Sequence, residues 1–376
     1  MTGAYVHIPF CEHICFYCDF NKVFLEGQPV DDYVDSLIKE MQLTVQAHPG
    51  EEVSTFYIGG GTPTTLNERQ LDRLLYGIRD TFKLPKNGEF TMEANPESLT
   101  FDKLKIMQNY GVNRLSMGVQ SFNDAILKKI GRIHTSEQVY RCIADARRAG
   151  FDNMSIDLIF RLPNQTMKDF EESLTKALEL DLPHYSIYAL ILENKTVFYN
   201  LMRQGKLPLP SEDTEADMYA LAIDTMAKHG RNHYEISNFA KPGFESKHNL
   251  TYWKNEHYFG FGAGAHGYID GVRYNNHGPI QHYLEPLRAN ELPVIYRKTL
   301  TKNEQIEEEM ILGLRTMTGV SQKHFAEKFG ISLVDHYDTV IRDLLQRELI
   351  AIVGDRILLT KKGIFLGNEV FQSFLM

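Results

Sequence analysis

Several things are scarce in this chain. Of its 376 residues only four are cysteine, one is tryptophan and 14 are proline. Four cysteines in so long a chain are too few for a secreted disulfide framework, so a reducing compartment is expected. With little proline, 43% hydrophobic and 24% charged residues, the chain is not disordered and has the apolar material for a large core. No apolar run approaches the roughly 18 residues of a membrane span. Residues 5–9 are too short and polar for a signal segment, so a cytoplasmic protein is expected, with membrane association only at the periphery. Basic charge is lacking too. Lys and Arg number 40 against 49 Asp and Glu, a net charge of -9, which gives no global attraction to nucleic acid or anionic lipid.

What is present is concentrated. His7-Ile8-Pro9-Phe10-Cys11-Glu12-His13-Ile14-Cys15-Phe16-Tyr17-Cys18-Asp19-Phe20 holds Cys11, Cys15 and Cys18, three of the four cysteines, at Cys-x3-Cys-x2-Cys spacing. Thiolates this close can turn inward on one loop around a soft metal centre, zinc or an iron–sulfur cluster. Three ligands are one short of a structural zinc site, whereas three around a four-iron cluster leave one iron open. A zinc site completed by His7 or His13, or a cluster of buried thiols, stays open on spacing alone. Cys142 lies in a helical run and reads as a buried structural thiol.

The rest of the first 230 residues or so alternates strand and helix. Strands are expected at residues 4–8, 53–58, 90–92, 114–119, 154–159 and 185–192. The helices expected between and after them include 31–46, 67–79, 101–109, 167–180 and 212–229, with Asn67 as an N-cap. Six strand–helix units imply an α/β fold with a parallel sheet covered by helices, closed into a partial barrel or lying open. Ligands bind such sheets at the carboxyl ends of the strands. The cysteine loop, Gly59-Gly60-Gly61-Thr62, Glu93, Gln120 and Asp157 all fall there. From 234 to 288 periodicity fades into a Gly-, His-, Asn- and aromatic-rich stretch. Helices at 304–317, 321–329 and 335–347, a hairpin over Gly354-Asp355 and a closing helix at 361–374 then suggest a winged-helix-like module. Its acidic start (Glu304, Glu307, Glu308, Glu309) favours a lid or protein contact over DNA.

The cysteine spacing followed by the triple-glycine loop resembles the radical S-adenosylmethionine (SAM) superfamily. Further motifs narrow it: Gly59-Gly60-Gly61-Thr62-Pro63-Thr64, Glu93-Ala94-Asn95-Pro96, Arg114-Leu115-Ser116-Met117-Gly118-Val119-Gln120-Ser121-Phe122 and Gly131-Arg132-Ile133-His134. With Tyr5 and His7-Ile8-Pro9-Phe10-Cys11 they resemble the oxygen-independent coproporphyrinogen III oxidase (HemN-like) family across nearly the whole chain. The resemblance implies a partial (β/α)6 TIM-like barrel over residues 1–232, a connecting region at 233–298 and a HemN-type C-terminal helical or winged domain at 299–376. It implies a [4Fe-4S] cluster on Cys11, Cys15 and Cys18, and SAM contacts from Tyr5, Gly60, Gly61, Thr62, Glu93, Gln120, Arg132 and Asp157.

Two departures from the oxidases bear on function. Phe20 stands where they are expected to carry a fourth cysteine, and the first strand begins by Tyr5 without their N-terminal extension. Both resemble the haem-chaperone branch, as does His248-Asn249-Leu250-Thr251-Tyr252-Trp253, an HNxxYW motif associated with haem. An imidazole can ligate haem iron while Tyr252 and Trp253 pack on the macrocycle. A buried aromatic corner with a satisfied His248 is the plainer reading, and His257, His266 and His277 compete as ligands. The branch implies haem as cargo, a haem-accepting membrane respiratory protein, an electron donor for the cluster and no nucleic acid. Pairing as a homodimer is left open. Coproporphyrinogen III oxidase activity is expected to be absent, decarboxylation of that substrate being the alternative function.

Overall fold

The structure is a computed structural model that describes residues 2–375. Six strands pair side by side in parallel, in the order in which they occur in the chain. They are β1 (Thr2–Ile8), β2 (Val53–Gly60), β3 (Glu89–Ala94), β4 (Arg114–Gln120), β5 (Met154–Phe160) and β6 (His184–Ala189). The principal helices between and after them are α1 (Val30–Ala47), α2 (Glu68–Thr81), α3 (Phe101–Asn109), α4 (Ser136–Arg148), α5 (Met167–Glu179) and α6 (Glu212–Lys228). Their starts are written in the sequence. Asn67 with Gln70, and Thr135 with Gln138, form capping boxes that satisfy the first free amides. Because the strand order never reverses, the crossovers lie on one face and the sheet curls toward a barrel.

The stretch where periodicity faded is regular structure. β7 (Asn232–Glu235) and β8 (Asn238–Ala240) extend the β6 edge, and α7 (Lys247–Trp253) leads to β9 (Tyr258–Phe261), which pairs in parallel with β1. β10 (His266–Ile269), β11 (Val272–Asn276) and β12 (Val294–Thr299) add antiparallel strands beyond it, making twelve in one open sheet. These strands are only three to six residues long, too short for alternation to stand out.

Alternation in the six central strands divides two environments. Ala4, Val6, Ile8, Phe56, Ile58, Leu115, Met117, Ile156 and Leu158 face the helices and belong to the main core. The intervening residues are polar or aromatic: Tyr5 and His7, Thr55 and Tyr57, Thr91 and Glu93, Arg114 and Ser116, Ser155 and Asp157, His184 and Ser186. A packed barrel fills its interior with branched aliphatics. This one instead holds a hydrogen-bonded polar lining, as in Ser155 Oγ to His184 Nδ1 at 2.7 Å and Ser116 Oγ to Asp157 Oδ1 at 3.3 Å.

The C-terminal part has its own core, including Ile306, Met310, Phe325, Leu344, Ile357 and Phe374. Helices at Lys302–Gly313, Gln322–Phe329 and Asp338–Gln346 pack with a small sheet of Val320–Ser321, Arg356–Leu359 and Ile350–Val353. The expected closing helix is broken at Leu366 into Lys361–Phe365 and Gly367–Gln372.

Candidate functional site

The cysteine loop leaves β1 through Pro9 and is clamped on both sides. The Phe16 amide donates to the Ile130 carbonyl at 3.1 Å, and the Phe198 amide donates to the Phe16 carbonyl at 3.0 Å. Phe16 and Tyr17 pack on a small apolar cluster that includes Ile126, Ile130, Leu162 and Phe198. The loop therefore has a seat of its own, apart from the main core. Cys11, Cys15 and Cys18 are free thiols lining one cavity of about 270 Å3. Among the described residues no set of three His, Cys, Asp or Glu side chains converges as on a single metal ion. Burial pushes the Cys11 thiol up to about 11 and also raises Cys18, so a bound cation is needed to hold them as thiolates.

The glycine loop is dictated by close packing. A Cβ on Gly59 would stand 2.8 Å from the Glu93 carboxyl carbon, and one on Gly60, at φ +116, would stand 2.5 Å from the His7 ring. A Cβ on Gly61 would meet the Pro9 backbone at 2.8 Å and the Cys11 sulfur at 3.0 Å. Thr62 donates to Cys11 Sγ at 3.7 Å and accepts from Asn95 Nδ2 at 3.1 Å.

Two carboxyls face this cavity. Glu93 accepts from Tyr57 OH at 2.7 Å and the Gly60 amide at 3.1 Å. Burial, reinforced by the Asp157 charge, pushes it up to about 7. Burial likewise pushes Asp157 up to about 6. Among the described residues neither carboxyl forms an ion pair, so each suits a cationic or hydroxyl-bearing ligand. Gln120 reaches the same cavity from a left-handed backbone, φ 66, at a bulge where the β4 register shifts against β5.

Arg132 borders the cavity with its guanidinium already engaged. Nη2 donates to Gly118 O at 2.6 Å and Asn95 Oδ1 at 2.9 Å, Nε faces His134 Nδ1 at 3.3 Å, and Nη1 points at Cys15 Sγ, 3.7 Å away. This arrangement sets the guanidinium charge against the Cys15 sulfur. Tyr5 does not border the cysteine cavity itself but stands beside Gly60 and Glu93 in the space that adjoins it. Its side chain emerges two residues below His7 on β1, its hydroxyl bonds His7 Nδ1 at 2.9 Å, and it lines a second cavity of about 440 Å3.

That second cavity shares Phe20, Tyr57, Gly60, Glu93, Tyr188 and Asn249 with the first. His248 and Tyr252 line it from α7. Trp253 does not join them, because five residues at about 100° each turn it some 140° around the helix from His248. It packs beneath the Arg315 guanidinium, 4.4 Å from its ring centroid, and so ties α7 to the C-terminal part. His248 is 1% exposed. Its Nδ1 bonds Thr55 Oγ1 at 3.0 Å and its Nε2 bonds Tyr252 OH at 2.8 Å, while its ring stacks on Tyr57. Burial pulls it down to about 3, so it is neutral. Glu89 holds the start of α7, accepting from the His248 amide at 3.0 Å, the Lys247 amide at 2.9 Å and Ser246 Oγ at 3.3 Å. Sequence reasoning missed Tyr57, Asn95, Arg114, Ser186 and Tyr188 as cavity residues. The two-residue alternation of β2, β4 and β6 carried that signal for all but Asn95, which follows the end of β3.

Sequence comparison accords with this arrangement. Residues 5–177 match the Radical SAM superfamily profile and residues 300–366 match the HemN C-terminal domain. The structure superposes on the solved "Coproporphyrinogen III oxidase (HemN)" of Escherichia coli with a TM-score of 0.87 at 25% identity, covering 100% of this chain and 90% of that one. The fold is thus that of a radical SAM protein of HemN type. The "Heme chaperone HemW" of Bacillus subtilis (strain 168) is 53% identical over 100% of this chain and 99% of its own length. That of Lactococcus lactis subsp. lactis (strain IL1403) is 51% identical over 100% and 97%. The chain belongs to the HemW family within the radical SAM superfamily.

Proposed function

We infer that the protein is a haem chaperone that carries a [4Fe-4S] cluster with SAM and delivers haem to respiratory haem proteins of the membrane. The observation that carries this reading is the pair of adjoining cavities, one bordered by the three thiols and the other by His248, Asn249 and Tyr252, with Phe20 in the wall of both. A cysteine at position 20 would bring a fourth thiol to that wall. Phenylalanine brings a flat apolar ring suited to a porphyrin edge.

Cys11, Cys15 and Cys18 would hold the cluster, and Gly60, Gly61, Thr62, Glu93, Gln120 and Asp157 would hold SAM. The cluster supplies an electron for cleavage of the sulfonium when both are bound. Glu93 binds the ligand's ammonium as a carboxylate, Asp157 accepts from hydroxyls, and Arg132 offsets the charge of Cys15. Tyr5, Tyr57, Tyr188, Tyr252 and Phe20 give the second cavity an aromatic lining for the haem. An electron donor reduces the cluster, and the protein works in the cytoplasm, meeting the membrane at its surface. The solved HemN is named as an oxidase, and with Phe20 in place coproporphyrinogen III decarboxylation is not expected here.

The test is transfer. Haem-loaded protein is mixed with membrane vesicles bearing a haem-free b-type cytochrome, and after sedimentation the Soret absorbance is expected in the vesicles. Haem that stays with the soluble protein whatever the vesicles contain would remove the delivery role. Turnover of coproporphyrinogen III with SAM and a low-potential reductant would favour the oxidase instead.

A further inference from the structure

Resting on the haem reading above, the question is which side chain meets the iron. Three imidazoles border the second cavity: His7, His248 and His266. A ring nitrogen ligates iron through its in-plane lone pair, so a nitrogen already committed to a hydrogen bond must give it up first. His7 has Tyr5 OH at Nδ1, 2.9 Å, and the Asn21 carbonyl at Nε2, 2.7 Å. His248 is engaged at both nitrogens, by Thr55 and Tyr252. Freeing either ring would cost the hydrogen bond that its partner now makes.

His266 differs on each count. It is exposed, it lines the cavity, and among the described residues no hydrogen bond, ion pair or ring contact engages its side chain. Its backbone is nevertheless well anchored. It opens β10 in register with Asn275, after a turn in which Gly262 and Gly264 take left-handed φ values of 98 and 75. Asn21 fastens that turn by donating to the Ala263 carbonyl at 2.8 Å and the Gly278 carbonyl at 2.9 Å. The other candidates fall away by position. His257 receives the Asp270 amide at 3.3 Å and stands 3.9 Å from the Asp270 carboxylate, and neither it nor His277 lines the cavity.

We propose that His266 is the axial ligand of the haem iron, with His248 serving as a post that orients Tyr252 and Tyr57 in the cavity wall. Binding replaces the weak axial ligand of haemin, water or chloride, by a ring nitrogen of His266. One iron–nitrogen bond forms, the displaced ligand leaves, and no electron moves.

The test uses full-length protein, prepared without oxygen and titrated with haemin, with optical and electron paramagnetic resonance spectra of the bound iron. His266→Ala is expected to melt like the unsubstituted protein, because that side chain is exposed and, among the described residues, makes no hydrogen bond or ion pair. It should bind haemin at least tenfold more weakly and lose the histidine-ligated Soret position, and free imidazole should restore that position. His248→Ala is expected to melt earlier while keeping the ligated spectrum. A folded His248→Ala that loses this spectrum while His266→Ala keeps it would overturn the assignment. So would unchanged spectrum and affinity in His266→Ala, with the chaperone reading intact. Unsubstituted protein that takes up no haemin would overturn both.

Discussion

Held near pH 7 without a cationic partner, the Glu93 carboxyl is half-ionised at neutral pH, and only its charged form attracts an ammonium. Affinity for SAM is therefore expected to rise as pH increases from about 6 to about 8. Glu93→Gln should flatten that slope and weaken SAM binding about 10- to 100-fold, the worth of one charge-assisted hydrogen bond. The SAM-induced change in the reduced cluster's paramagnetic signal measures both effects. A Gln variant with unchanged affinity and slope would remove Glu93 from the ligand's reach. At this scale the sequence was informative wherever spacing alone fixes position. Three cysteines within one short loop had to share it, and Glu93 and Gln120 lie at strand ends as expected, whereas Asp157 sits at the middle of β5 and reaches the cavity from the barrel interior. Trp253 does not stand with His248 and Tyr252, because side-chain direction follows the local period. It points away from His248 around α7, whereas Tyr5, one strand repeat below His7, shares a cavity with Gly60 and Glu93.

The seven-residue helix α7 is too short to be stable alone, and it depends on what holds its two ends. At its start Glu89 accepts three hydrogen bonds, two of them from backbone amides that have no other partner in the first turn. Glu89→Ala leaves those donors unpaired in the interior, with an expected loss of roughly 2–4 kcal/mol. Hydrogen exchange at 247–253 should accelerate beyond that of β1 and β2, and unchanged protection would show that α7 is held by other contacts. At its end, stacking of Arg315 on Trp253 joins the barrel to the C-terminal part. Arg315→Ala is expected to cost about 0.5–2 kcal/mol. It should also shift the emission of Trp253, which reports alone because the chain has one tryptophan. An unshifted emission maximum would mean that the stack does not persist in solution. The strand–helix pairs were legible because long apolar periods and capping residues agree with each other. β7 to β12 were not, since each is short and its pairing is decided by the sheet edge it joins.

Over the whole molecule, Glu40 on α1 fastens the added strands to the barrel. Buried at 2% exposure, it accepts from the Gly262 amide at 2.8 Å, Asn276 Nδ2 at 2.6 Å and Tyr283 OH at 2.6 Å. Burial pushes its carboxyl up to about 7 despite those donors. Since the folded value lies above the unfolded one, the folded state binds the proton more tightly. Its stabilising contribution is full below about pH 4.5, falls as pH rises to about 7 and is flat above, on the order of 3 kcal/mol in all. The difference in melting temperature between the unsubstituted protein and Glu40→Gln should therefore change across that window and nowhere above it. A constant difference would mean that Glu40 ionises normally.

The cysteine loop, the polar barrel interior and α7 converge on two adjoining cavities, and both are expected to be filled at once. The direct measurement is a haemin titration of protein already carrying its cluster, with iron, sulfide and haem counted on the same oxygen-free sample. One haem per chain at saturation, with the cluster's iron and sulfide undiminished and its SAM response intact, is the predicted result. Haem uptake that never saturates, or that proceeds only as the cluster is lost, would contradict it.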